Sequence, residues 1–184
     1  MKTYYKGLKP FLDDLAGRKP SPGGGSAAAF LFCLGLSLID KSLNFSIVSK
    51  AVLPAQKAKN HKLKNTISVF ADLKRTFLPF VDKDGQVFDK IINSQGERRK
   101  ALVRKSEKMI ADMADSCRQA ISLAKKAESD IKNNIISDFN IGCYCLFVCL
   151  MACLENLQAN KAIFGTQNSN IAKIKKYLRN VGNI

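Results

Sequence analysis

The sequence predicts an all-α protein: an antiparallel helical bundle of five or six helices that forms a single domain over residues 1–184. Two segments, Ser26–Ile39 and Ile135–Phe164, are apolar on nearly every face, as buried helices are. Elsewhere apolar residues recur at steps of three and four, which is the spacing of an amphipathic helix. No alternating apolar run bounded by turn residues suggests a strand. With 46% hydrophobic and 24% charged residues, the composition is that of a folded globular protein.

The first half of the chain contains three helical segments. Thr3–Ala16 carries an apolar stripe that we expect to cover the mouth of the core. The central helix covers about 26–50, and Gly35 should lie where another helix packs closely. Residues 55–93 form the third segment. Pro79 should kink or split it, because a proline removes a backbone hydrogen bond and clashes with the preceding turn.

The second half of the chain completes the bundle with three more helices. Glu97–Glu128 is long and amphipathic, with lysines and arginines opposite its apolar face. The apolar segment Ile135–Phe164 follows, and a short helix over Ile171–Leu178 closes the chain. Both central apolar helices are too hydrophobic to be half exposed in a monomer, so we expect a helical homodimer.

The charge of the chain admits a non-catalytic interpretation. Lys and Arg number 30 against 15 Asp and Glu, a net charge of +15, and such a field attracts polyanions. The alternative function is therefore a basic helical module that binds an acidic partner or nucleic acid. Nucleic acid is not favoured, because the lysines are scattered and the 8% aromatic content includes no Trp for base stacking.

The start of the chain indicates a cytoplasmic protein. Met1–Lys9 is polar, and no signal-peptide pattern follows it. The apolar run after Ser26 is interrupted by Asp40 and Lys41, short of the roughly 20 residues that span a bilayer. We therefore expect no membrane partner.

The cysteines are not arranged as ligands or disulfides. Four of the six fall within residues 143–153, and three of these, Cys145, Cys149 and Cys153, repeat every four residues on one helical stripe. Neighbouring thiols on one helix have poor geometry for a disulfide. No Cys-x-x-Cys occurs, and His61 is the only histidine, so no metal site is predicted. We expect these residues to be small buried apolar groups in a reducing compartment.

A glycine-rich turn precedes the central helix, in the sequence Pro20-Ser-Pro-Gly-Gly-Gly-Ser. Gly23, Gly24 and Gly25 have no Cβ, so the backbone there can approach a ligand or a helix closely. The free N–H groups at the start of the helix, with its positive dipole end, suit a carboxylate or a phosphate. On these residues alone, tight packing remains the alternative interpretation of the glycines.

Three carboxylates lie in apolar surroundings. Asp82 and Asp84 point about 200° apart on a helix, so only one of them can face a given cleft. Without further information both could be surface residues beside a kink. Ser137 or Asp138 should cap the start of the second apolar helix.

Three blocks of the sequence resemble the formiminotetrahydrofolate cyclodeaminase/methenyltetrahydrofolate cyclohydrolase family. Phe11-Leu-Asp-Asp-Leu followed by Pro20-Ser-Pro-Gly-Gly-Gly-Ser-Ala-Ala-Ala is similar to the family's opening. The segments Phe80–Phe88 and Asn133–Gly142 resemble its Asp-x-Asp and Ser-Asp blocks, in the same order. Gly85 departs from an alanine-like residue of the family pattern, and we expect it to loosen its helix by about 1 kcal/mol.

The resemblance implies a folate-dependent one-carbon enzyme, a cyclodeaminase or a cyclohydrolase, with a tetrahydrofolate derivative as its substrate and no metal. It also implies a homodimer. A carboxylate would act as general acid and base, and the glycine turn with surface lysines would hold the glutamate tail of the folate, polyglutamylated or not. The implied catalytic residues are Asp84 first and Asp82 second, with Asp138 toward the pocket; the implied substrate-binding residues are Gly23, Gly24, Gly25, Ser26 and Ser137.

Overall fold

The structure, a computed structural model, describes residues 4–181. Over that range the chain forms seven α-helices: α1 (Tyr5–Leu15), α2 (Gly24–Ser46), α3 (Pro54–Phe77), α4 (Phe80–Ile92), α5 (Gly96–Ala127), α6 (Ile136–Phe164) and α7 (Asn170–Val181). Two short 3₁₀ turns join α5 to α6. No strand occurs in residues 4–181, and the all-α prediction is confirmed.

α2 and α6 form the centre of the bundle and run antiparallel. They cross at Gly35 and Gly142, where a Cβ on either glycine would lie 2.8 Å from the other's backbone oxygen. The two helix backbones therefore touch, as the close packing predicted at Gly35 requires. α2 also contacts α3, α4 and α5, so it is the element on which the other helices are assembled.

Pro79 divides the segment that the sequence predicted as one helix. α3 ends at Phe77 and α4 begins at Phe80, yet Leu78 and Pro79 keep right-handed helical angles between them. α3 and α4 thus form a single kinked helix, and counting them as one gives six helices over the described residues. The kink directs α4 toward the start of α2, which brings its carboxylates to the glycine turn.

α1 differs from the expectation. The stripe predicted to cover the core is largely in solvent: Leu8 is 43% exposed and Leu12 54%. Phe11 does contact α2, where its ring lies 5.7 Å from that of Phe30 between centroids. Thr3, where the prediction began this helix, lies outside the described residues. The prediction was wrong because periodicity identifies an apolar face without identifying what covers it.

Two helical segments of the described chain, Gly24–Ser46 and Asn133–Phe164, could cross a membrane by length and composition alone. The first was expected to be too short, but the helix continues past Asp40 and Lys41 to Ser46. Its most apolar window is 61% buried inside the bundle, whereas the corresponding window of the second is 28% buried. α6 therefore presents apolar residues outward.

Candidate active site

The glycine turn places free backbone donors at the start of α2. Gly23 precedes the helix in an extended conformation, with φ −139° and ψ −154°, and no side chain caps it. The first bond of the helix runs from the Ala27 N–H to the Gly23 carbonyl oxygen, at 3.0 Å. The N–H groups of residues 24–26 therefore lie before the ladder of helical bonds, at the positive end of the helix dipole.

The Asp84 carboxyl group, from α4, lies directly on this helix end. A Cβ at Gly25 would be 2.2 Å from Oδ1 and 2.4 Å from Oδ2 of Asp84, so only a glycine leaves room for the carboxyl. The backbone N–H of Ser26 donates a hydrogen bond to it. The anion position predicted for a ligand is thus taken by a carboxyl group of the protein itself.

The surroundings of Asp84 favour its neutral form. Burial raises the pKa of Asp84 above its ordinary value of 3.8, and the hydrogen bond from Ser26 only partly opposes this. Within residues 4–181, no lysine or arginine nitrogen lies within 4 Å of this carboxyl group. A carboxyl group with a raised pKa and no fixed counter-charge can take up and release a proton at a higher pH than an ordinary aspartate.

A pocket of about 500 Å³ lies between α1, the glycine turn and α4, and Asp84 itself is not among the residues that line it. Ser26 lines it, and the fully buried Ser26 Oγ has no hydrogen-bond partner among the described residues. Asp82, which is exposed, and Gly85 line the opposite wall. The two carboxylates do point apart as expected, but the exposed Asp82 lines the pocket, whereas Asp84, the residue expected first, points to Gly25 at the start of α2.

The structure explains why residue 85 is a glycine. A Cβ there would lie 2.8 Å from the Cβ of Ser21 in the turn, so glycine allows α4 to approach the turn closely. The expected loosening of α4 does not interrupt the helix, which runs unbroken through this position. The position of Gly85 in the pocket wall therefore explains why it departs from the family pattern.

Sequence reasoning missed Asp89. Its carboxylate accepts a hydrogen bond from Ser21 Oγ, with 3.1 Å to each oxygen, and it lines the same pocket. The sequence could have indicated Asp89 as a pocket residue, because residues 82, 85 and 89 share one face of a helix. Asn156 was also missed: its Oδ1 would lie 3.0 Å from a Cβ at Gly24, which places α6 at the edge of the turn.

Ser137 and Asp138 lie far from this pocket. Asp138 pairs with Lys41 on α2 at 2.5 Å, and Ser137 is exposed. Lys41 is sixteen residues from Gly25, or about 24 Å along the helix at 1.5 Å per residue. Within one chain these residues therefore do not join the glycine turn. The capping prediction was wrong, because α6 begins at Ile136 without a side-chain cap and both residues lie inside its first turn.

The cysteines line the core as expected for four of the six, while Cys143 and Cys145 are partly exposed. Sγ of Cys117 and Sγ of Cys149 are 3.3 Å apart. Burial raises the pKa of Cys33 and of Cys143 to about 11, so these thiols stay protonated near neutral pH. Within the described range, no group of three metal-ligating side chains is placed to hold an ion.

Known proteins with similar sequences and folds indicate the family of this chain. A methenyltetrahydrofolate cyclohydrolase of Methylorubrum extorquens is 26% identical over 166 residues, covering 83% of this chain and 78% of that protein. The crystal structure of a formiminotetrahydrofolate cyclodeaminase from Thermotoga maritima matches with a TM-score of 0.78 at 17% identity, over 94% of this chain and 86% of that one, and so shares the fold. A family model described as Formiminotransferase-cyclodeaminase matches residues 7–178, and the chain belongs to that family.

Proposed function

We propose that this protein is a methenyltetrahydrofolate cyclohydrolase in which Asp84 transfers the protons. Membership of the family points to a folate-dependent one-carbon enzyme. The observation that carries the finer assignment is the Asp84 carboxyl group, held on the start of α2 without a cation and next to Ser26, which lines a pocket of about 500 Å³. Pockets of about 300–1,000 Å³ are the usual size for small-molecule substrates.

The proposed hydrolysis begins when water adds to the cationic carbon that bridges N5 and N10 of the folate. Ionised Asp84 takes the proton that this water loses, and the carbon then carries a hydroxyl group. Asp84 returns its proton to N5 as the carbon–N5 bond breaks, and the hydroxyl proton leaves to solvent to form the 10-formyl product. The raised pKa of Asp84 suits both steps, because one group must act first as base and then as acid.

Two further residues have proposed roles in binding. The Ser26 hydroxyl is buried in the pocket wall without a partner among residues 4–181, so a substrate polar atom would satisfy it. Asp89, held by Ser21, adds a negative charge that favours a cationic methenyl group over a neutral product.

A cyclodeaminase activity is the second candidate, because the fold matches a protein with that name. In that reaction N10 of the folate attacks the carbon of the protonated formimino group, ionised Asp84 takes the proton from N10, and Asp84 then returns it to the amino nitrogen, which leaves as ammonia. The same carboxyl serves both reactions, so the two differ in substrate rather than in machinery.

The test is the rate at which the pure protein consumes each substrate. We expect the absorbance of 5,10-methenyltetrahydrofolate to fall faster with protein than in buffer alone. Ammonia release from 5-formiminotetrahydrofolate in a parallel assay would add the cyclodeaminase. If a folded sample accelerates neither reaction but shifts nucleic acid in a salt-sensitive way, the basic-module interpretation replaces ours.

We also propose that a second copy of the chain covers the outer face of α6, defined as Ile141, Tyr144, Val148 and Met151. Each of these residues is 47–57% exposed, and they repeat at helical spacing. Light scattering at micromolar concentration should give twice the mass of 20.3 kDa, and Val148→Lys should give the monomer. A wild-type monomer would contradict the dimer. The cytoplasmic location stays a prediction.

A further inference from the structure

A second cavity, of about 530 Å³, lies on another part of the molecule, where the start of α5 meets the end of α6. α6 ends at Phe164, and Gly165 turns the chain with a left-handed φ of 67°. Phe164 and the buried Val103 form an apolar floor. Neither the glycine turn nor Asp84 contributes to this cavity.

The walls of the cavity are cationic. Arg99, Lys100 and Arg104 line it, and no acidic side chain does. Lys100 pairs with Glu97 at 2.7 Å, but both side chains are largely in solvent, so this pair is weak. Across the part of the chain that the structure describes, neither Arg99 nor Arg104 has a carboxylate within 4 Å. The cavity thus has two guanidinium groups that no ion pair within 4 Å holds, although Arg104 is near enough to the exposed Glu97 to help lower the pKa of that carboxyl.

The Arg99 guanidinium has a fixed position, but one of its hydrogen-bond donors lacks an acceptor among residues 4–181. It lies over the ring of Phe164, 5.2 Å from the centroid, which fixes its position. Its Nε is buried and has no acceptor among residues 4–181. A buried charged donor without an acceptor costs free energy, so an anion bound here would relieve that cost.

The nearest buried acid does not neutralise this group. Glu107, one turn beyond Val103 on α5, accepts a hydrogen bond from the Thr166 hydroxyl. The start of α5 adds to the positive potential, because Gln95 precedes the helix without a side-chain cap. All charged groups that line the cavity therefore favour an anionic ligand.

We propose that this cavity binds a small organic phosphate whose ring or other apolar body rests on Phe164 and Val103. A phosphate group carries up to two charges and three acceptor oxygens, which matches two guanidinium forks and one ammonium better than a single carboxylate does. The apolar floor and the volume leave room for a group as large as a nucleoside. The site is independent of the proposed catalytic pocket.

The probe is ADP, with adenosine and inorganic phosphate as separate ligands, and binding is measured by calorimetry on the intact protein. ADP should bind more tightly than either part alone. Arg99→Ala with Arg104→Ala should weaken ADP binding by about tenfold or more. The matched control, Lys125→Ala with Lys126→Ala, removes two exposed charges from the other end of the same helix and should change binding less than twofold.

Two more measurements separate a built site from general charge attraction. Arg99→Lys keeps the charge and loses the planar fork, so it should weaken ADP binding while leaving the fold unchanged by circular dichroism. Hydrolysis of methenyltetrahydrofolate should stay at the wild-type rate in the Arg99/Arg104 variant. No ADP binding at millimolar concentration, an equal loss in the lysine control, or displacement of ADP by oligoglutamate but not by pyrophosphate would overturn the proposal.

Discussion

The carboxyl groups at the two ends of α2 lie in different surroundings. At its start, Asp84 is partly buried against Gly25 and meets only a backbone N–H. Toward its end, Asp40 pairs with Lys74 at 2.6 Å and Asp138 pairs with Lys41 at 2.5 Å. The carboxyl groups that meet the two ends of this helix therefore differ in whether a cation lies beside them.

Burial alone does not make that distinction. Asp40 is 7% exposed, and burial raises its pKa as it raises that of Asp84. The Lys74 ammonium beside Asp40 works against the shift, however, and holds the pair in place. Asp84 combines partial burial and a raised pKa with the absence of a cation among residues 4–181, so we expect its proton to exchange easily. Glu107 is also buried without an ion pair in the described chain, but it accepts a hydrogen bond from the Thr166 hydroxyl.

The largest effect should come from adding one carbon atom to the glycine turn. Gly25→Ala would place a Cβ 2.2 Å from Asp84 Oδ1, so the carboxyl must leave the helix end. We expect the hydrolysis rate to fall by about 10²–10⁴-fold, as for loss of a general acid–base group. Helicity should stay, because alanine favours a helix over glycine. The absorbance of methenyltetrahydrofolate measures the rate.

The neighbouring glycine, Gly24, provides a control for that variant. Gly24→Ala would place a Cβ 3.0 Å from the Asn156 side chain, which can shift, so its effect should be milder. If Gly25→Ala keeps the full rate, the contact with Asp84 has no part in the reaction.

At the other end of α2, breaking the buried pair should cost stability rather than activity. Lys74→Met leaves Asp40 ionised without its partner, so we expect a loss of about 3 kcal/mol in the free energy of unfolding. Lys41→Met, at a more exposed pair, should cost less than about 1 kcal/mol. Urea denaturation measures both. Equal losses would mean that burial of the pair has no energetic consequence.

The pH dependence of stability should distinguish Asp84 from a neutral side chain. Because its pKa is raised in the folded protein, its ionisation costs stability as the pH rises from its ordinary value of 3.8 through the raised value. Asp84→Asn does not ionise, so its free energy of unfolding should exceed that of the wild type at pH 7, with the difference shrinking toward pH 4. A difference that stays constant with pH would show that Asp84 does not titrate as proposed.

The smallest effect should follow from Asp138→Asn. This residue pairs with Lys41 at the surface, so the variant should lose less than about 1 kcal/mol of stability and keep the hydrolysis rate within about twofold. Steady-state kinetics and urea denaturation measure the two quantities. A large loss of rate would indicate that Asp138 reaches a catalytic site in another way, such as across a dimer interface.

Periodicity and proline positions predicted the helices because these signals are local. The kink at Pro79, the crossing at Gly35 and the solvation of Asp82 all follow from residues close in sequence. The contact of Asp84 with Gly25 joins residues 59 positions apart, and no local rule reaches that far. The pairing of Asp138 with Lys41 likewise joins residues 97 positions apart, and Asp138 makes this pair instead of the predicted helix cap.

The most direct test of the account is the turnover of Asp84→Asn, since the amide keeps the shape of the side chain and removes its proton transfer. We predict that kcat for methenyltetrahydrofolate falls by about 10²–10⁴-fold with KM little changed, while Asp82→Asn, whose side chain is exposed, loses much less. If Asp84→Asn retains nearly the full rate, Asp84 is not the proton carrier and the central claim is contradicted.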